Sequence, residues 1–105
     1  MKINFNTPIM KFDGTPVLED AKPLTFLSIV DSILNLQEQG KPLTAEQKQT
    51  AYQIGMKMYA SKKETDLTVN QVAFLKERMG VFASPLAYGR FLELIGEGQE
   101  EEKKE

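Results

Sequence analysis

The sequence predicts a mainly α-helical fold: four helices in a compact bundle, with an N-terminal β-hairpin packed on it. Three observations lead there. A threonine or serine cap precedes each apolar periodic stretch from residue 26 onward. Apolar residues within those stretches recur at the spacing of one helix face. Residues 2–19 alternate instead, around an Asp-Gly pair that marks a tight turn.

In the N-terminal segment Ile3 and Phe5 point one way, and Ile9, Met10 and Phe12 follow Pro8. Asp13-Gly14 turns the chain so that Val17 and Leu18 return beside Ile9–Phe12. Pro8 and Pro16 lack an amide hydrogen, which confines these strands to edges or strand ends. A lone hairpin is marginal in water, so this one is expected to lie on the helices.

Lys-Pro-Leu-Thr occurs at 22–25 and again at 41–44, and Asp66-Leu67-Thr68 echoes it. All three read as threonine-capped helix starts, with proline keeping the preceding chain extended. Helix one is expected over 26–39. Phe26, Leu27, Ile29, Val30, Ile33, Leu34 and Leu36 lie on its broad apolar arc, and Gly40 is its stop. Helix two is expected over 45–60, opened by a capping box of Thr44 and Gln47. Gly55 in its middle costs about 1 kcal/mol relative to alanine, so another backbone is expected to approach closely there. Residues 61–66 read as a polar loop.

Thr68 and Gln71 form a second capping box, with Leu67 and Val72 at hydrophobic-staple spacing. Helix three is expected to end at Gly80, with Val69, Val72, Ala73, Leu75 and Met79 on its apolar arc. Ser84 then caps helix four, with Pro85 at its first position. Ala87, Tyr88, Phe91, Leu92, Leu94 and Ile95 share a face there, with Phe91 at mid-arc.

The chain has 105 residues, which suits one domain at 1–96 and an acidic, disordered tail at 97–105. The tail carries −3, which leaves +1 on residues 1–96 out of a formal total of −2. So even a balance gives no electrostatic footprint for nucleic acid. No apolar run approaches the roughly 20 residues that span a bilayer, so no membrane role is expected. The first residues lack a signal peptide's apolar core and cleavage site, and a cytoplasmic location is expected.

The side-chain inventory removes whole classes of chemistry. With no histidine and no cysteine, imidazole bases, thiolate nucleophiles and the commonest zinc ligands are absent. The glycines form neither a P-loop nor a dinucleotide fingerprint. Asp13, Glu19, Asp20, Asp31 and Glu38 fall in a turn or on polar faces. No catalytic, cofactor-binding or metal-binding residue is therefore assigned, and the chain is read as a non-enzyme without cofactors. The corner near Gly80 raises the question of a helix-turn-helix. Such motifs place basic or amide side chains at the start of the second helix. Here that helix opens Ser-Pro-Leu-Ala-Tyr-Gly-Arg-Phe, with Arg90 its lone cation.

What remains is surface for a partner. Ala51, Ile54 and Met58 suffice to seat helix two on one neighbour. Tyr52, Met56 and Tyr59 lie about 100° further round the wheel. Either another element of the chain covers them or they form an exposed patch. Tyrosine and methionine suit adaptable contact surfaces, though they also fill cores. Phe74 projects away from the expected arc of helix three and is the fourth candidate anchor.

The order of features also resembles a group of small uncharacterised proteins of tailed bacteriophages and prophages. The residues that carry it are Phe12-Asp13-Gly14-Thr15-Pro16, Lys22-Pro23-Leu24-Thr25, Thr44-Ala45-Glu46-Gln47-Lys48, Leu67-Thr68, and Pro85-Leu86 with Gly89-Arg90. The resemblance implies expression in an infected bacterial cytoplasm and carries over no activity and no catalytic residue. The function expected is that of a small non-enzymatic phage protein acting through protein–protein interaction, in viral assembly or as a host-directed factor. Its partner is a phage or host protein, or a second copy of itself. The alternative is a nucleic-acid-associated accessory or regulatory protein.

Overall fold

The computed structural model describes residues 1–96. In chain order the elements are β1 (Lys2–Ile3), β2 (Leu18–Glu19), β3 (Lys22–Pro23), α1 (Phe26–Leu34), α2 (Ala45–Ala60), β4 (Thr65–Asp66), α3 (Val69–Phe82) and α4 (Pro85–Leu94). The fold is mainly α, with two small antiparallel sheets, β1–β4 and β2–β3. The acidic tail expected at 97–105 lies outside the described residues. Among those described, no helix is long and apolar enough to cross a membrane.

The helix starts follow the caps. Thr44 Oγ1 accepts from the Gln47 amide at 3.1 Å, and Gln47 Oε1 accepts from the Thr44 amide at 2.9 Å. Thr68 and Gln71 repeat the exchange at 3.1 and 3.0 Å. Ser84 accepts from the Ala87 amide at 3.2 Å, with Pro85 opening α4. Thr25 differs: it holds the cap position of α1 without a side-chain cap bond. The N-terminal segment does that work instead. Thr7 and Phe5 carbonyls accept from the Phe26 and Leu27 amides at 3.2 and 2.8 Å, satisfying donors that a helix start leaves free.

Two helix ends depart from expectation. α1 stops at Leu34, five residues short of 39. Asn35 Nδ2 donates back to the Asp31 carbonyl at 2.9 Å, while the Asn35 and Leu36 amides reach only three residues back. Beyond them, Gln37 Oε1 accepts from the Leu43 amide at 2.8 Å. Gly40, at φ +79, serves a Glu38–Lys41 turn and not a helix end. α3 runs past Gly80 to Phe82. Gly80 stays helical, and the stop comes from Pro85, which disfavours helical backbone at Ser84.

The strands also differ from the single hairpin expected. Asp13-Gly14 does turn the chain, with Gly14 at φ +87. Asp13 Oδ1 accepts from the Thr15 hydroxyl at 2.7 Å and its amide at 2.9 Å, which holds the carboxyl below its usual pKa. Pairing there is a single Met10–Pro16 bridge, flanked by the Lys11 amide bond to the Thr15 carbonyl and the Val17 amide bond to the Ile9 carbonyl. The prolines withhold the donors that a longer ladder needs. The regular strands lie elsewhere. β1 pairs with β4, which falls inside the segment expected as a polar loop, and Thr65 is buried there.

α1 packs on α2 and α3, α2 on α3, and α3 on α4. Phe26 and Phe91 meet at the centre, ring centroids 6.5 Å apart and tilted by 53°. The expected arc of α3 is rotated. Its buried face is Gln71, Leu75, Arg78 and Met79, while Val69 and Ala73 are exposed. Gln71 Oε1 accepts from Lys57 Nζ at 2.8 Å, and Arg78 Nη2 donates to the Leu36 carbonyl at 2.9 Å, so both buried polar side chains have hydrogen-bond partners.

Candidate functional site

α2 presents two flanks. Ala51, Ile54 and Met58 are buried, which fixes the helix on the core. Tyr52, Met56 and Tyr59 are then 67%, 56% and 61% exposed. No other described element covers them. They border a groove of about 480 Å³ between α1 and α2, which Asp31, Leu34, Leu43, Lys48 and Gly55 also line.

The groove is more apolar than polar, with Asn35 and Gln37 in its lining and a charged residue on each of its helices. The Tyr59 hydroxyl donates to Asp31 Oδ2 at 2.9 Å. That bond, then desolvation and the carboxylate charge, pushes the Tyr59 pKa above its ordinary value. Lys48 lies eleven residues before Tyr59 on α2, about 16 Å along a helix axis. Acid and base therefore stand near opposite ends.

Gly55 lies between them, and here the structure corrects an expectation. A Cβ added at Gly55 would meet just Leu34 Cδ1, at 4.0 Å, which is ordinary van der Waals contact. No backbone among the described residues approaches it closely.

Phe74 is placed apart from the other three candidates. It is half-buried, packs against the core and borders a second, polar opening with Gln47, Gln53, Asn70 and Gln71. At about 100° per residue, Gln53 lies on the opposite side of the Ala51–Ile54–Met58 stripe from Tyr52 and Tyr59. Asp31, Lys48 and Leu43 are groove residues that the sequence did not single out as candidates. No local signal marks Asp31, because its partner is 28 residues away. Among the described residues, no group of three or more Asp or Glu is placed to hold a metal ion.

No protein-family model, curated protein or solved structure matches this chain.

Proposed function

We propose that this chain is a small non-enzymatic phage or prophage protein that works by binding another protein chain, in viral assembly or as a host-directed factor in the bacterial cytoplasm. In this reading residues 1–96 act as one helical bundle, the N-terminal turn segment packs on it, and the α1–α2 groove is its contact surface. One observation carries the proposal: Tyr52, Met56 and Tyr59 are aligned and exposed beside an apolar groove. Scattered surface apolar residues are ordinary. Two tyrosines and a methionine in register, with a charge at either end, have the composition of an interface core.

The test is a paired substitution, Tyr52→Ser with Tyr59→Ser. Neither side chain is in the core, so the variant should keep its helical circular dichroism and cooperative melt. Tagged wild type, recovered from the bacterial host, should carry a specific protein or a second copy of itself, and the variant should lose it. If both recover the same partners, the groove is not the contact surface. DNA binding that persists at physiological salt would point instead to nucleic acid, since nonspecific charge-driven contact fades steeply with salt.

A further inference from the structure

We propose that a second copy of this chain occupies the α1–α2 groove, with α2 packed antiparallel on its two-fold mate around Gly55. The inference rests on the reading of this groove as a contact surface and commits to its occupant.

Gly55 supplies the first argument. A glycine in mid-helix is a costly choice, and the described residues give no reason for it, since an alanine Cβ fits at 4.0 Å from Leu34. The residue sits in the groove among exposed side chains. A helix from outside the chain, crossing at that point, would need the Cβ to be absent, because small residues at a crossing let two helix axes approach.

The second argument is charge. A two-fold interface sets a patch against itself, so residue i meets residue j and j meets i. Here Lys48 and Tyr59, whose hydroxyl bonds Asp31, are separated by roughly 16 Å of α2, so Asp31 and Lys48 flank different stretches of the groove. Antiparallel packing about a centre between them brings Asp31 of each copy toward Lys48 of the other, at both ends at once. Parallel packing would set like charges together. Antiparallel α2 helices also oppose their dipoles favourably.

Area sets the strength. Counting about 200 Å² per large side chain, the exposed parts of Tyr52, Met56 and Tyr59 supply roughly 700 Å² from the two copies together. A standard interface buries about 1,200–2,000 Å² in total, so the groove walls must contribute and the dimer belongs at the weak end.

The test is sedimentation equilibrium over a wide protein concentration range, at low and physiological salt. Wild type should pass from monomer to dimer, more tightly at low salt. Asp31→Lys and Lys48→Asp should each weaken self-association about tenfold, because each sets like charges together. Mixing these two variants should restore a dimer, because the mixed pair has opposite charges at both ends. Gly55→Ala should melt higher as a monomer and dimerise more weakly, a combination that misfolding cannot produce. A wild type that stays monomeric throughout overturns the inference, and so does a dimer indifferent to the charge mixing. A monomeric wild type that still loses another protein on Tyr52→Ser with Tyr59→Ser would sink the second copy and leave the contact surface standing.

Discussion

The Tyr59 hydroxyl and Asp31 Oδ2 are joined by a hydrogen bond of 2.9 Å that ties the end of α2 to the middle of α1. Tyr59 is largely exposed, so the bond adds little to stability. Its effect is positional. It holds one phenol ring against the groove wall, and an ordered ring loses less freedom when a partner arrives.

Titration tests this bond. The ultraviolet difference between wild type and Tyr59→Phe isolates one phenol, which should ionise above its ordinary value near 10. Asp31→Asn should bring it back down. The folded-state pKa is raised, so the small stabilisation is fully present below about pH 10 and is lost as pH rises through the folded value. A Tyr59 phenol that ionises at or below 10 would show that the bond does not persist in solution.

Phe91 tests the core. It is fully buried on α4 and stacks obliquely on Phe26 from α1, so truncation removes contacts to two elements. Phe91→Ala should cost about 3–5 kcal/mol, a large share of the roughly 5–15 kcal/mol that a domain of this size has. The readout is the urea midpoint. An unchanged midpoint would mean that this ring is not central to the core.

What was legible in the sequence was local. The Thr44–Gln47 and Thr68–Gln71 boxes, and Ser84 before Pro85, act within four residues, and all three hold. The two flanks of α2 were legible too, because period and residue type agree there. Several of the errors come from partners outside the local segment. Asn35 ends α1 by bonding back to the Asp31 carbonyl, and the segment after it is then engaged by Leu43 and by Arg78 of α3. On α3, Gln71 and Arg78 are buried with hydrogen-bond partners on other elements, which no periodicity count assigns to polar residues. β4 forms because Lys2–Ile3 arrives from more than sixty residues away. For the candidate site, the tyrosines were visible as an apolar flank. The charges that give the groove its direction were not, since Asp31 and Lys48 meet it from different helices.

Ala21 offers a gain. Asp20 and Ala21 have φ of 52 and 65 and join β2 to β3 as a two-residue turn. Both central residues of such a turn need positive φ, which asparagine and glycine adopt readily and alanine does not. Ala21→Gly should therefore raise the urea midpoint. The left-handed strain it relieves is about 1–2 kcal/mol, partly offset by the greater freedom of glycine in the unfolded chain. A lowered midpoint would mean that the turn does not hold this conformation.

Arg78 joins stability to the groove. It is 4% exposed, donates from Nη2 to the Leu36 carbonyl at 2.9 Å, and lies with Cζ 4.8 Å from the Phe82 ring centroid. The bond anchors the chain just after α1, and that segment goes on to place Leu43 in the groove wall. Arg78→Met keeps the apolar stem and removes the charge and its donors. A hydrogen bond from a charged group is worth about 1.5–3 kcal/mol, and the cation over the ring adds to it, so a loss of about 2 kcal/mol is expected. Arg78→Lys should recover little of that loss, because a compact ammonium cannot both lie flat on Phe82 and reach Leu36. The loss should be uneven along the chain. Amide exchange should quicken over residues 35–43 before it does in α3, and association through the groove should weaken with it. If Arg78→Met matches wild type in urea and in exchange over 35–43, the guanidinium is dispensable and the groove wall stands without it.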